Sequence, residues 1–253
     1  MNIDGVGAIV TGGGSGLGAA VAAFLAQGGA KVSIVDRDRK AAMECAAQIG
    51  GLGLAADVTE DKDVAHVVAA AAEQHGVTRI LVNCAGIGPS CKTVRRDGTP
   101  HPVDLFRKVL AVNLLGSFAM LSRVAAALAN EAPLGEERGV IVNTASIAAF
   151  DGQVGQAAYS ASKAGLAGMT LPIARDLAPL AIRVVTIAPG AFMTPMLETV
   201  SDEIRQSLAK QVPFPQRLGR PQEFAELVGH TIANPMINGE TIRIDGAIRM
   251  APH

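Results

Sequence analysis

The sequence predicts a doubly wound α/β fold, with a parallel sheet covered by helices on both faces. Apolar runs of strand length alternate with longer helical patterns along all 253 residues. The runs are apolar throughout, which is typical of strands buried on both faces. A glycine cluster also lies between the first run and the first helical pattern, as in Rossmann-type folds. No linker or internal repeat divides the chain, so we expect one domain over residues 1–253.

The predicted strands are short, rich in Val and Ile, and bounded by Gly, Asp or Asn. In chain order they are residues 6–11, Lys31–Asp36, a short strand ending at Asp57, 79–83, Gly139–Thr144, 182–188 and Thr241–Ile244. The predicted helices between them are Ala-rich, with apolar residues at helical spacing. They cover residues 18–27, Arg39–Ile49, Asp61–His75, 103–129 and 156–177. Residues 88–102 and 191–221 are looser, and we predict that 191–221 forms a substrate loop after a strand end.

Composition excludes several classes of protein. The chain is 49% hydrophobic and 18% charged, which excludes intrinsic disorder. A net charge of -1, no Trp and one Tyr argue against a nucleic-acid partner. Five histidines without ligand spacing predict no metal. Three cysteines and an N-terminus without a basic leader predict a soluble, cytoplasmic protein with no membrane partner.

The strongest single motif is the glycine cluster. Residues 11–18 read Thr-Gly-Gly-Gly-Ser-Gly-Leu-Gly, directly between a predicted strand and a predicted helix. Glycines allow a tight turn and let the backbone approach a pyrophosphate, whose charge then lies at the helix N-terminus. A tight structural turn without a ligand is the alternative. The strand before the motif and the helix after it favour a dinucleotide site.

Asp36 ends the second predicted strand, 18 residues after Gly18. A carboxylate at this position can accept hydrogen bonds from both adenosine ribose hydroxyls and repels a 2′-phosphate. NAD is therefore favoured as the cofactor, although the neighbouring Arg37 leaves room for NADP. The alternative is that Asp36 only caps the helix that begins near Asp38.

A second constellation consists of Ser146, Tyr159 and Lys163. Tyr159 and Lys163 are four residues apart, so both project from one helix face. A phenol with a pKa near ~10 is a poor base at neutral pH, and a nearby ammonium favours its ionised form. The alternatives are a surface helix pair for Tyr159 and Lys163 and a simple N-cap for Ser146.

Together these motifs resemble the short-chain dehydrogenase/reductase family. The similarity rests on residues 11–18, Asn83-Cys84-Ala85-Gly86, Asn113, Ser146, residues 159–163 and Pro189-Gly190, which match in order and spacing over essentially the whole chain. The resemblance implies a nicotinamide cofactor held by Gly12, Ser15, Gly16, Leu17, Gly18, Asp36, Asp57, Val58, Cys84, Ala85, Gly86, Tyr159, Lys163, Phe192 and Thr194. Ser15 and Leu17 would hold the pyrophosphate side, Asp57 and Val58 the adenine, and Phe192 and Thr194 the nicotinamide.

The resemblance also implies the catalytic roles. Tyr159 would be the general acid/base, and Ser146 would hydrogen-bond the substrate oxygen. Lys163 would lower the pKa of Tyr159 and bind the nicotinamide ribose, and Asn113 would complete a water-linked proton path. The substrate contacts would come from Ser146, Gln153 and Tyr159.

Further stretches of the second half resemble family members that oxidise 3-hydroxyacyl-CoA. They are residues 143–146, 151–156, 169–179, 212–215 and 245–250. The resemblance implies an NAD-dependent homotetramer in fatty acid metabolism that interconverts 3-hydroxyacyl-CoA and 3-oxoacyl-CoA, with hydroxysteroids or short-chain alcohols as further substrates. For an animal source it would imply the mitochondrial matrix. The alternatives are an NADPH-dependent 3-oxoacyl-acyl-carrier-protein reductase and a non-catalytic binding subunit.

Overall fold

One parallel sheet of seven strands lies at the centre of the computed structural model, which describes residues 1–198 and 201–252. The strands are β1 (Gly7–Thr11), β2 (Lys31–Asp36), β3 (Leu52–Ala55), β4 (Thr78–Asn83), β5 (Gly139–Thr144), β6 (Ile182–Pro189) and β7 (Thr241–Ile244). Their order in the sheet is β3-β2-β1-β4-β5-β6-β7, with every neighbouring pair parallel. The strand order reverses between β1 and β4, and such a switch point opens a crevice at the carboxyl ends of the strands.

Helices cover both faces of this sheet. They are α1 (Gly16–Gln27), α2 (Arg39–Ile49), α3 (Asp61–His75), α4 (Val103–Leu110), α5 (Ser117–Leu128), α6 (Ala157–Leu177), α7 (Pro195–Glu198), α8 (Asp202–Lys210) and α9 (Pro221–Ala233). One buried cluster joins α1, α2 and α9 to the sheet, and a second joins α3, α5 and α6 to the opposite face. The predicted doubly wound α/β fold is therefore confirmed.

The predicted helix over residues 103–129 forms as one continuous helical rod, Val103–Leu128, in which the middle residues are π-helical instead of α-helical. A π-helical segment, Ala111–Gly116, joins α4 to α5. Such segments widen the helix locally and are frequent at functional sites. The span Val103–Leu128 is apolar and long enough to cross a membrane by length and composition, but its inner residues, such as Val124 and Leu128, pack in the core under the sheet.

The segment after β6 contains more helix than the sequence predicted. Its Pro and Met content suggested an extended loop over residues 191–221, but α7 and α8 form within it; residues 199 and 200 lie outside the described residues. Helix α9 follows with Pro221 at its first position, where a missing N–H costs nothing. It packs on α1 so closely that a Cβ on Gly229 would lie 2.2 Å from Cε1 of Phe24.

Candidate active site

A cavity of about 560 Å³ opens at the carboxyl ends of the central strands. It is lined by residues that follow or end β1, β2, β4, β5 and β6. The predicted site residues around it are Gly12, Ser15, Gly16, Leu17, Gly18, Asp36, Asp57, Val58, Cys84, Ala85, Gly86, Ser146, Gln153, Tyr159, Lys163, Phe192 and Thr194. Asn113 is the one predicted site residue that does not line the cavity; it lies buried behind it.

The glycine-rich turn between β1 and α1 forms the floor of one end of the cavity. A Cβ on Gly18 would lie 2.2 Å from the carbonyl oxygen of Gly12, so only glycine lets the helix start this close to the turn. The turn also contacts the segment after β6, because a Cβ on Gly16 would lie 3.3 Å from Cδ of Pro195. The N-terminus of α1 therefore faces a narrow cleft, which is suited to an anionic pyrophosphate.

Asp36 lies at the end of β2, against this turn. Its Oδ2 accepts a hydrogen bond from the backbone N–H of Gly14 at 3.1 Å, and its Oδ1 accepts one from the N–H of Asp38 at 3.0 Å. Asp38, not Asp36, caps α2, with Oδ1 accepting from the N–H groups of Lys40 and Ala41. The capping alternative for Asp36 is therefore wrong, and its half-buried carboxylate is oriented toward the cavity edge.

Asp57 and Val58 lie beside Asp36 at the same end of the cavity. The Oδ1 atom of Asp57 accepts two hydrogen bonds from Thr59, from its N–H at 2.9 Å and from its hydroxyl at 2.7 Å. These bonds hold the pKa of Asp57 below its ordinary value, so it carries a negative charge at neutral pH. Val58 is buried against Gly116 of the π-helical segment.

Phe192 and Thr194 lie in the segment after β6. Phe192 is buried and packs edge-to-face on Phe224 of α9, with ring centroids 6.4 Å apart. Its backbone also pairs with Gly219, which fixes the start of this segment to the start of α9. Thr194 is held by this anchor at the rim of the cavity, opposite the glycine-rich turn.

Tyr159 lies in the first turn of α6, and Ser146 follows β5; hydrogen bonding from the Ser146 side chain lowers the pKa of the phenol. Ser146 also caps a short 3₁₀ turn, because its Oγ accepts from the N–H of Ala148 at 3.1 Å. Both the capping and the pairing interpretations of Ser146 therefore hold. A hydroxyl accepts through two lone pairs and donates one hydrogen, so the bond from Ala148 leaves the Ser146 hydrogen available to Tyr159 or to an oxygen in the cavity.

Lys163 lies one turn further along α6 with its side chain 5% exposed. Its Nζ lies 5.7 Å from the centroid of the Tyr159 ring and donates to the carbonyl oxygen of Thr144 at 2.7 Å. Burial lowers the pKa of Lys163 to about 8. Burial also raises the pKa of the Cys84 thiol to about 11, so Cys84 stays protonated beside it.

The pKa of Tyr159 lies above its ordinary value in this arrangement. Burial raises it, and the hydrogen bond with Ser146 lowers it only in part. The Nζ of Lys163 bonds to Thr144 and lies 5.7 Å from the centroid of the Tyr159 ring, and the expectation that Lys163 favours the phenolate stays a prediction. Tyr159 is a protonated acid at neutral pH.

Asn113 connects three parts of the site from within the π-helical segment. Its Nδ2 donates to the carbonyl oxygen of Ile87 and to Oγ of Ser162, both at 2.9 Å, and its Oδ1 accepts from the N–H of Ile87 at 2.8 Å. Ser162 in turn donates to the carbonyl oxygen of Tyr159 at 2.7 Å. Asn113 thus ties the loop after β4 to the turn of α6 that carries Tyr159.

Several cavity residues were not found from the sequence. They are mostly apolar and come from separate elements: Ile147, Gln156, Leu197, Leu208 and Met250. An isolated apolar side chain carries no chemical signature, so no sequence pattern distinguishes these residues from core. Gln156 carried a weak signal, since it lies three residues before Tyr159.

Comparisons with known proteins agree with this geometry. The family model described as short chain dehydrogenase matches residues 7–205. The chain is 50% identical to the 3-hydroxyacyl-CoA dehydrogenase type-2 of Rattus norvegicus over 99% of this chain and 98% of that protein. A crystal structure of 3-hydroxyacyl-CoA dehydrogenase type-2 from Mycobacterium avium matches with a TM-score of 0.94 and 40% identity, covering 98% of each chain.

A crystal structure of 3-ketoacyl-(acyl-carrier-protein) reductase from Brucella melitensis, complexed with NADH, matches with a TM-score of 0.86 and 33% identity. It covers 98% of this chain and 100% of that one. The family model, the relatives and the fold all agree with the resemblance of the motifs. The chain belongs to the short-chain dehydrogenase family and is an oxidoreductase that uses a nicotinamide cofactor.

Proposed function

We propose that the protein is an NAD-dependent dehydrogenase that interconverts 3-hydroxyacyl-CoA and 3-oxoacyl-CoA. The observation that carries the chemistry is that Ser146, Tyr159 and Lys163 line one cavity, with the Nζ of Lys163 5.7 Å from the centroid of the Tyr159 ring. The substrate class is supported by the relatives from Rattus norvegicus and Mycobacterium avium, whose names specify 3-hydroxyacyl-CoA. The coverage of both chains is nearly complete.

The residues of the cavity divide the proton chemistry among them. When bound, the nicotinamide cofactor accepts a hydride from the 3-carbon of the substrate or returns it. Ser146 donates a hydrogen bond to the substrate oxygen and orients it. Tyr159 removes the proton of that oxygen in oxidation and donates one in reduction, a step that contributes about 10²–10⁴-fold to the rate. The Lys163 ammonium stabilises the developing phenolate and donates to the ribose.

The cavity fits such a cofactor, and its adenosine end favours NAD over NADP. The glycine-rich turn provides a close backbone approach at the N-terminus of α1. Asp36 and Asp57 place two carboxylates at the edge where the adenosine would lie. A 2′-phosphate near these charges would be repelled, and Arg37 is the one cation among the described lining residues at this end.

We also infer a homotetramer, formed through the outer faces of the helical rod and α6. Three large apolar side chains stand exposed there, Leu115 at 60%, Phe118 at 47% and Leu171 at 45%. Exposed apolar side chains do not stabilise an isolated monomer, whereas a closed symmetric assembly would bury them between subunits. The cytoplasmic location stays a prediction from the sequence.

The main alternative is a 3-oxoacyl-acyl-carrier-protein reductase that uses NADPH, which the relative from Brucella melitensis supports by name for the substrate. The second alternative, a non-catalytic binding subunit, leaves the Tyr159, Ser146 and Lys163 arrangement without a role. The deciding assay measures NADH formation from NAD and 3-hydroxybutyryl-CoA beside NADPH consumption with 3-oxoacyl-acyl-carrier protein. The proposal predicts a much higher kcat/KM in the first assay. A higher kcat/KM in the second assay would show that the protein is the reductase. No turnover in either assay would leave the non-catalytic binding subunit as the remaining alternative.

A further inference from the structure

The C-terminal tail, residues 249–252, forms part of the wall of the cavity. Met250 lines the cavity and is half-buried against a small apolar cluster of Ile147, Val212 and Ile248. Ile147 directly follows Ser146, the predicted contact of the substrate oxygen, and both line the cavity. Met250 therefore packs on the residue next to Ser146.

Two hydrogen bonds hold the tail against the segment between β5 and α6. The Nε2 of Gln153 donates to the carbonyl oxygen of Ala251 at 2.9 Å, and the N–H of Val154 donates to the carbonyl oxygen of Pro252 at 3.0 Å. Gln153 lines the same cavity. Its amide therefore fixes the tail, and its role as a substrate contact stays a prediction.

An ion network holds the base of the tail. Arg243 of β7 donates to Oδ2 of Asp151 at 2.5 Å, to Oδ2 of Asp245 at 2.7 Å and to the carbonyl oxygen of Ile248 at 3.1 Å. Asp151 belongs to the segment that carries Gln153, and Ile248 belongs to the turn before the tail. One guanidinium thus joins both sides of the wall and anchors the backbone that leads to Met250.

We propose that Met250 determines which acyl chain lengths the enzyme accepts, by closing the cavity next to Ile147. This inference rests on the proposed function and specifies its substrate range. An alkyl chain attached to the reacting carbon needs an apolar wall, and in this part of the cavity Met250, Ile147 and Leu208 provide apolar side chains. The Met250 thioether limits the depth of the pocket, and its flexibility suits a range of short chains.

The test compares kcat/KM for 3-hydroxybutyryl-CoA and 3-hydroxydecanoyl-CoA at saturating NAD. Met250→Ala should raise the ratio of decanoyl to butyryl activity about tenfold, because methylene groups in an apolar pocket discriminate by such factors. Met250→Phe should lower the ratio by a similar factor. Met236→Ala is the matched control, since Met236 is 91% exposed, and it should leave the ratio unchanged. NADH binding and thermal melting establish that each variant is folded.

Each outcome decides the question. Opposite shifts of the ratio in the two Met250 variants support the proposal. An unchanged ratio in both folded variants overturns it and leaves the dehydrogenase function standing. A shift of equal size in Met236→Ala overturns it as well. A wild-type enzyme that oxidises neither thioester overturns the proposed function and this inference with it.

Discussion

The ammonium of Lys163 lies 5.7 Å from the ring centroid of Tyr159 and is bound to the carbonyl oxygen of Thr144 at 2.7 Å. The lysine is thus buried with a single described hydrogen bond and with no carboxylate partner among the described residues. Burial without a countercharge is what brings its pKa to about 8. The arrangement is costly for folding and useful for chemistry, because it places a positive charge under the catalytic phenol.

Replacing Lys163 by Met should therefore stabilise the fold at neutral pH. The folded-state pKa of about 8 lies below the unfolded value of 10.5, so the unfolded state binds the proton more tightly. The resulting penalty is present below about pH 8 and disappears as pH rises toward about 10.5. After the lost hydrogen bond to Thr144 is allowed for, we expect Lys163→Met to gain about 1–2 kcal/mol at pH 7.

Urea unfolding of both proteins at about pH 7 and about pH 10.5 measures this difference. The advantage of Lys163→Met should shrink at the higher pH. A variant that is less stable than wild type at pH 7 would contradict the account of an unpaired buried ammonium.

The pH dependence of catalysis should reflect the raised pKa of Tyr159. Because the phenol holds its proton up to and above its ordinary pKa of 10, the acid needed for reduction is present throughout the neutral range. The base needed for oxidation is the scarce form, and its fraction rises about tenfold per pH unit. We expect kcat/KM for oxidation to rise steadily from about pH 6 to about pH 8, where Lys163 begins to lose its proton, whereas that for reduction stays flat below about pH 8. A plateau of the oxidation rate below about pH 7 would contradict this assignment.

Cofactor choice should depend on Asp36. We expect wild type to bind NADH at least about 100-fold more tightly than NADPH, and Asp36→Ser to lose most of that difference. Asp38→Asn is the matched control two residues away, because Asn retains the cap of α2. Fluorescence titration of both cofactors at one ionic strength measures the ratio. Equal affinities in wild type, or an equal loss in Asp38→Asn, would refute the role of Asp36.

Gly18 should tolerate no side chain. Its Cβ would meet the carbonyl oxygen of Gly12 at 2.2 Å, so Gly18→Ala should cost about 3 kcal/mol of unfolding free energy and weaken cofactor binding. At Gly168, within α6, a Cβ would have no neighbouring atom within 4 Å, so Gly168→Ala should stabilise the fold by about 0.5–1 kcal/mol. Thermal melting of the two variants compares them. Equal melting temperatures of Gly18→Ala and Gly168→Ala would show that the glycine-rich turn has room for a Cβ at Gly18.

The sequence alone predicted the sheet well, since buried parallel strands are continuous apolar runs with sharp polar ends. Lys31–Asp36, Gly139–Thr144 and Thr241–Ile244 have the predicted bounds, and the other strands differ by one or two residues at an end. Helix α9 was missed although Pro221 at its first position and the apolar spacing of Phe224, Val228 and Ile232 indicate a helix, because the Pro-rich stretch before it was read as continuing to Pro221. The π-helical segment was missed because its hydrogen bonding, not its composition, defines it.

The residues of the candidate site also fall into those that the sequence predicted and those that it did not. Residues with distinctive chemistry or conformation, such as Asp36, Tyr159 and Gly18, were found because their local motifs carry the signal. Met250 and its contacts were missed because Gln153 and Ala251 are 98 positions apart, and such a pairing exists only in the folded chain. The burial of Tyr159 was also not predicted, because burial cannot be read from the four-residue spacing to Lys163.

Whether Tyr159 is the catalytic acid/base is decided by the turnover of Tyr159→Phe with 3-hydroxybutyryl-CoA and NAD. Phe keeps the aromatic ring and only the hydroxyl is lost, so kcat should fall by about 10²-fold or more while the dissociation constant for NADH stays near that of wild type. A variant that keeps more than about a tenth of wild-type turnover, a barrier change under about 1.4 kcal/mol, would contradict the assignment of Tyr159 as the catalytic acid/base.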